Sequence, residues 1–262
     1  MDYEYIEVET AGHVTTITLN RPQVMNAIHP PMHAEMQTAL DAFATDSDQY
    51  VCVITGAGDR AFCAGSDLKA AAQSGISGRA YPKSGYAGLI ERFDLSKPLI
   101  AAVNGVALGG GFEIALACDV IIAAETARFG LPEPLVGAVA LGGGLHRLAR
   151  QIGLKQAMGM ILGAQSVTAA EGKELGFVNE IVSATDLKSA VGSWCERILK
   201  CAPLAIRASK ETVLRGLDEP SLAAAMKNQN SYPAFAAWKT ADDTLEGPRA
   251  FAEKRPPRWR GR

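Results

Sequence analysis

The sequence predicts an α/β protein with a helical C-terminal region. Three observations carry that expectation. Short apolar, β-branched runs alternate with stretches of helical periodicity up to about residue 182. From Pro203 onward the pattern is helical, broken only at Pro220, Pro233 and Gly247-Pro248. Two small-residue turns inside the alternating part each end in an acidic residue that opens a helix. A chain of 262 residues fits one large domain or one domain with an appendage, and this pattern divides it into a core over 1–202 and a helical region over 203–262.

Residues 6–9 and 13–19 read as strands around an Ala11-Gly12 turn, with Val14, Ile17 and Leu19 as the strand-forming positions. Asn20-Arg21-Pro22 closes the second. Pro30-Pro31 opens a helix in which Met32, Met36, Ala39, Leu40 and Phe43 share one face. Residues 51–54 form a short buried strand closed by Thr55-Gly56-Ala57-Gly58. That junction imitates a dinucleotide-binding fingerprint. The fingerprint needs a helix opening at once and an acidic residue about 20 positions on, after the next strand. Here 59–65 read as loop and the Gly-rich stretch near position 80 holds no strand, so no nucleotide cofactor is expected.

Residues 66–72 start a helix with Asp67 in its first turn. The stretch 74–88 carries Gly75, Gly78, Pro82, Gly85 and Gly88 and reads as a mobile, lid-like loop. A short helix over 89–95 and a buried strand over 98–106, interrupted at Asn104-Gly105, lead into the turn Gly109-Gly110-Gly111 and its helix. Strands over 119–124 and 127–129 precede Pro132-Glu133-Pro134, a loop stiffened by its prolines. Gly142-Gly143-Gly144 starts a second Gly-led helix through Ile152. Helices over 155–162 and 169–175, a strand over 178–181 and a helix over 187–201 complete the core.

Composition narrows the function classes. Net charge is −2, which gives no drive toward nucleic acid or a membrane surface. No run of about 18 apolar residues is present, and the acidic start MDYEYIEVET has neither part of a secretory signal, so a cytoplasmic protein is expected. The five cysteines follow no metal spacing and read as free thiols. His29 and His33 are the one histidine pair at helical spacing, but Pro30 and Pro31 lie between them and no metal site is expected. The tail Lys254, Arg255, Arg258, Arg260, Arg262 is locally basic, and reads either as a solvated terminus or as an anion clamp.

The chemistry sits in the two turns, Phe62-Cys63-Ala64-Gly65-Ser66-Asp67 and Leu108-Gly109-Gly110-Gly111-Phe112-Glu113. If they face each other, one backbone N–H from each converges on a single oxygen, and such a donor is worth about 3 kcal/mol to an oxyanionic transition state. The competing reading is that small residues only allow close helix–strand packing. Glu113 is surrounded by apolar residues, which raises a carboxyl pKa, although a helix N-terminus by itself also favours an acidic residue. Glu133 is either braced by its prolines or an exposed turn residue. Two such carboxylates beside an oxyanion hole suit proton transfer next to a carbonyl, and activation of a water.

Asn20-Arg-Pro with Asn26-Ala27, Ala61-Phe-Cys-Ala-Gly-Ser-Asp-Leu-Lys69, Val103-Asn-Gly with Leu108-Gly-Gly-Gly-Phe-Glu113, Cys118-Asp119 and Phe129-Gly-Leu-Pro-Glu133 resemble, in order and spacing, the crotonase (enoyl-CoA hydratase/isomerase) superfamily. The resemblance spans essentially the whole chain. It implies a repeated β-β-α spiral core, C-terminal helices that form a homotrimer, and stacking of two trimers into a hexamer. It implies an acyl-CoA thioester substrate with no cofactor beyond the coenzyme A that the substrate carries, and an oxyanion hole from the amides of Ala64 and Gly110. Ala64, Gly65, Ser66 and Asp67 would line the thioester. Hydratase members carry two glutamates twenty positions apart, as Glu113 and Glu133 are here. The resemblance therefore implies a lyase that adds water to, or removes it from, a 2-enoyl-CoA. Glu113 would act on the water and Glu133 on the Cα proton. Isomerisation, or an inactive CoA-binding scaffold, are the other readings.

Two stretches are similar to the carnitinyl-CoA dehydratase branch, namely Ala64 to Ala72 and the tail from Glu246 to Arg262. In the tail, Phe251 and Lys254 inherit contacts to the CoA phosphates, often made from a neighbouring subunit, with Arg255 a weaker candidate. The sequence departs from the superfamily at Val139-Ala140-Leu141-Gly142, where a proline is common. Leu141 is expected to narrow the acyl pocket. A quaternary ammonium substrate would call for aromatic lining, for which Tyr81 and Tyr86 are the candidates.

Overall fold

The computed structural model describes residues 3–74 and 81–262. Its first strands, β1 (Ile6–Ala11) and β2 (Val14–Leu19), form the expected hairpin, with Val8 opposite Ile17. Alternation in β2 buries Thr15, Ile17 and Leu19 on one face. The helix α1 (Pro30–Thr45) follows, then β3 (Val51–Gly56) and β4 (Ala61–Cys63), then α2 (Leu68–Ser74). The core continues with β5 (Leu99–Val103), β6 (Val106–Leu108), α3 (Gly110–Ala117), β7 (Val120–Ala124), β8 (Arg128–Gly130), α4 (Gly144–Gln151), α5 (Leu154–Leu162), β9 (Ser166–Thr168), α6 (Ala169–Leu175), β10 (Glu180–Val182) and α7 (Leu187–Leu199).

Two sheets result, ordered β1-β2-β3-β5-β7-β10 and β4-β6-β8-β9. Each of β3-β4, β5-β6 and β7-β8 puts its first strand in the large sheet and its second in the small one, with α2, α3 and α4 next along the chain. This is the expected strand–strand–helix spiral. The large sheet is parallel from β2 to β10 and covered on both faces, so β3, β5 and β7 read as apolar runs without alternation. Val51, Val53, Ile100, Ala102 and Ile122 pack under Leu187, Val191 and Cys195 of α7. Cys52, Ile54, Ala101 and Val103 face the main core with Met32, Met36 and Phe43 of α1 and Phe112 and Ile114 of α3.

Several expectations needed correction. Residues 61–63 are strand β4, paired with β6, and three residues are too few to register a period in sequence. The run 98–106 is two strands in different sheets, parted at Asn104-Gly105, where a Cβ on Gly105 would run into the Arg60 carbonyl. No helix forms over 89–95. Leu89, Ile90 and Leu95 are buried from irregular turns that follow a 3-10 turn at Tyr86–Gly88, whose Ala87 has φ 54°. The lid-like stretch is divided: 75–80 lie outside the described residues, while Tyr86, Ala87 and Gly88 pack tightly beside α1.

The C-terminal helices are α8 (Pro203–Gly216), α9 (Leu222–Asn228), α10 (Pro233–Lys239) and α11 (Asp243–Ala252). Contrary to expectation, α11 runs through Pro248. Lys210 of α8 ties this region to the core, donating to Asp119 Oδ2 at 2.7 Å and to the Lys97 carbonyl at 2.8 Å. The basic tail is pinned. The amides of Arg260 and Gly261 donate to Asp243, each at 2.9 Å, and Trp259 Nε1 donates to the Lys200 carbonyl at 2.9 Å.

Candidate active site

The first turn is held from below by the loop after β2. Buried Asn26 donates from Nδ2 to the carbonyls of Ala57 (3.0 Å) and Ala61 (2.8 Å), and its Oδ1 accepts from Arg21 N at 3.0 Å. The backbone of 25–28 is then stitched to that of 64–67. Ala64 N donates to Met25 O at 3.0 Å, Ile28 N to Gly65 O at 2.8 Å, and Asp67 N to Ile28 O at 2.8 Å. This corrects one expectation. The Ala64 amide is committed to Met25 and is not available to a ligand oxygen. Among the described residues the Ser66 amide, two positions on, has no acceptor. Sequence reasoning placed Ser66 in the thioester lining but did not single out its N–H, because only the pairing with 25–28 decides which amide is spare.

The second turn faces the first. Gly65 has φ +92°, and a Cβ there would meet Leu108 O at 2.9 Å and Gly110 N at 3.2 Å. A Cβ on Gly111 would overlap the Cys63 carbonyl. Gly65 and Gly111 are therefore glycines of close packing. Gly110 is closely packed too, a Cβ there overlapping the Tyr86 ring, but it also opens α3, so its N–H has no intrahelical acceptor. The packing reading holds for all three glycines, and Gly110 in addition keeps a spare amide.

Glu113, in the first turn of α3, is 3% exposed. Its Oε1 accepts from Gly144 N at 2.9 Å, and the Gly142 amide also bonds the carboxylate. Burial pushes its pKa up to about 7, and the Glu133 charge adds to the rise; the two amides and Arg147 oppose it. Glu133 begins a 3-10 turn over Glu133–Val136. Its Oε1 lies 2.9 Å from where a Gly109 Cβ would stand, and its Oε2 is buried with no hydrogen-bond partner among the described residues. Burial raises its pKa as well. Two protonatable carboxyls thus flank the Gly109–Glu113 helix start that presents the Gly110 amide. The cradle from Gly142 and Gly144 was visible in sequence only as another Gly-led helix.

Other expected residues are placed differently. Asp67 caps α2 through Lys69 N and Ala70 N, each at 3.2 Å, and pairs with Arg21 at 3.0 Å. Phe251 is 87% exposed at the end of α11, and Lys254 just beyond it is also exposed. No hydrogen bond or ion pair among the described residues joins either to the 64–67 turn. Arg255 is held by Glu246, at 2.6 and 3.0 Å, and by Glu253 at 2.6 Å, so its guanidinium is already engaged. Leu141 is 74% exposed. Tyr86 is buried, its hydroxyl 3.4 Å from Ser66 Oγ. Tyr81 lies in the same aromatic cluster, 5.7 Å from Tyr86 between ring centroids.

Two spiralled sheets, with paired carboxyls and spare backbone amides where strand–strand–helix units meet, define a protein of the crotonase fold. An enoyl-CoA hydratase of Mycobacterium tuberculosis H37Rv superposes with a TM-score of 0.90 at 36% identity, covering 98% of this chain and 99% of that one. An enoyl-CoA hydratase of Mycobacterium marinum superposes at 0.91 and 37%, with the same coverage. The carnitinyl-CoA dehydratase of Proteus mirabilis (strain HI4320) is 42% identical over 262 residues, 98% of each chain. A sequence model described as enoyl-CoA hydratase/isomerase matches residues 9–262. The chain belongs to the enoyl-CoA hydratase/isomerase family.

Proposed function

We propose that the protein is an acyl-CoA hydratase/dehydratase, a carbon–oxygen lyase acting on a 2-enoyl-CoA thioester. The observation that carries this reading is the pair Glu113, buried, and Glu133, half-buried with an unpartnered Oε2, both of raised pKa at the Gly109–Glu113 helix start with its spare amide. Isomerisation needs one proton carrier; adding water needs a base for the water and an acid for Cα.

In hydration the thioester oxygen accepts from the Gly110 and Ser66 amides, which stabilise the enolate. Ionised Glu113, held by Gly142 and Gly144, orients a water and takes its proton as the oxygen attacks Cβ. Glu133, protonated on its unpartnered Oε2, gives a proton to Cα. One proton then passes from Glu113 to Glu133 to reset the pair. In dehydration each step reverses. Coenzyme A enters as part of the substrate, and no other cofactor takes part. Residues 64–67 line the thioester. Phe251, exposed on α11, and Lys254, exposed just beyond it, reach CoA phosphates bound to a neighbouring subunit. Exposed Val213, Leu217, Leu222 and Met226 on and beside α8 and α9 form the trimer contact, with the hexamer as a pair of trimers. The cytoplasm fits this role; among the described residues no helix is long and apolar enough to cross a membrane.

A second reading, dehydration of carnitinyl-CoA itself, is favoured by the 40–42% identity to proteins of that name. A panel of short, long, aromatic and betaine-type enoyl-CoAs in heavy-oxygen water decides both. Label in the product and loss of turnover in Glu113→Gln and Glu133→Gln, by about two to four orders of magnitude, are expected. Unlabelled product, or normal turnover in both variants, rejects the hydratase reading. Preference for the betaine-type substrate selects the second one.

A further inference from the structure

Among the described residues Tyr86 is the one buried phenol beside the 64–67 turn, and the acid–base chemistry does not use it. It is 2% exposed and sits in the 3-10 turn at the end of the 74–88 stretch. Ala87 N donates to His33 Nδ1 at 2.8 Å, which anchors the turn to α1. The His33 ring stands edge-on to the Tyr86 ring at 4.6 Å. Backbone and ring are therefore both fixed. The ring reaches across to α3: a Cβ on Gly110 would overlap Tyr86 Cζ and Oη. Ser66 Oγ donates to Tyr86 Oη at 3.4 Å. The phenol oxygen thus lies beside both residues whose amides are spare. Since it accepts from Ser66, its own proton is uncommitted. Burial raises its pKa well above the ordinary phenol value, so the proton stays on throughout the neutral range.

We propose that the Tyr86 hydroxyl is a third hydrogen-bond donor to the thioester oxygen, completing an oxyanion hole with the Gly110 and Ser66 amides. This rests on the thioester binding proposed above. A phenol donor differs from the two amides in one respect. Its O–H can turn toward the oxygen as negative charge builds there, while Ser66 Oγ keeps the phenol oxygen in place. The arrangement also explains why position 110 must lack a side chain, which an amide donor alone does not require.

The test is Tyr86→Phe, which keeps the packed ring and deletes the donor. Turnover of crotonyl-CoA should fall by about 10²-fold, the scale of losing one oxyanion-hole donor, with KM changed far less. A spectroscopic readout separates donation from packing. In the slow Glu113→Gln background, the thioester carbonyl stretch of bound crotonyl-CoA should shift to higher frequency when Tyr86→Phe is added. A Tyr86→Phe protein with kcat within twofold of the parent and an unmoved carbonyl stretch overturns the proposal. Normal turnover in both Glu113→Gln and Glu133→Gln overturns the hydratase reading and this inference with it. An inactive Glu113→Gln beside an unaffected Tyr86→Phe removes only the inference.

Discussion

Gly144 N donates to Glu113 Oε1 at 2.9 Å, so the starts of α3 and α4 meet on one carboxylate 31 residues apart in sequence. A helix N-terminus carries spare N–H groups and a partial positive charge. One helix supplies Glu113 and the other supplies the amides that aim it. The position of Glu113 is thereby set by backbone, which side-chain mobility cannot relax.

Gly142→Ala should test that cradle. A Cβ there would overlap Glu113 Oε2, yet Gly142 has no positive φ and its backbone accepts alanine. The expected result is a native far-UV spectrum with kcat lowered by about 10²-fold, the scale set by displacing a catalytic group by about 1 Å. Unchanged kcat in Gly142→Ala would show that Glu113 does not need this support.

The pKa of Glu113 makes stability depend on pH. Below 4.5 the carboxyl is protonated in both folded and unfolded chains. Between 4.5 and about 7 the unfolded chain ionises while the folded one keeps its proton, so stability falls as pH rises, and above about 7 the loss is complete. A shift of this size corresponds to about 3 kcal/mol. Glu113→Gln, which keeps the acceptor for Gly144, should therefore melt higher than the parent at pH 8, with the gain shrinking toward pH 5. A melting difference independent of pH would count against a carboxyl of raised pKa.

The same group, with Glu133, sets the rate profile. Hydration needs Glu113 ionised and Glu133 protonated, so kcat/KM should follow a bell, falling on the acid side as Glu113 gains its proton and on the alkaline side as Glu133 loses its own. Loss of the acid limb only in Glu113→Gln, and of the alkaline limb only in Glu133→Gln, is expected; a parent profile with no acid limb down to about pH 4 would remove Glu113 from the role of base.

Asp67 is expected to matter for the fold as much as for the ligand. Asp67→Ala loses the α2 cap and the Arg21 ion pair, both partly shielded from solvent, and should cost about 1–2 kcal/mol. Asp67→Asn, which keeps a capping oxygen, should recover part of that in a denaturant titration.

The local sequence carried much of the outcome. Alternation in β2, helical spacing in α1, the helix α6 over 169–175 and the proline-led start of α8 are properties of a few neighbouring residues, and they are where the sequence placed them. The three-residue strands β4 and β9 were not legible, since they exist only through pairing with β6 and β8. The apolar run at 89–95 misled because it is buried for tertiary reasons, with no helix required.

For the site, the sequence by itself determined the chemistry at hand: two glutamates on separate elements and two small-residue turns that open helices. Only the tertiary structure decided which amides remain spare, leaving Ser66 rather than Ala64 with an unbonded N–H among the described residues, and brought Tyr86 against Gly110. The reason is physical. Residue type and spacing state what a group can do, but whether a backbone N–H is already bonded, or a carboxyl buried, depends on segments distant in sequence. Met25 and Gly144 settle those questions for Ala64 and Glu113.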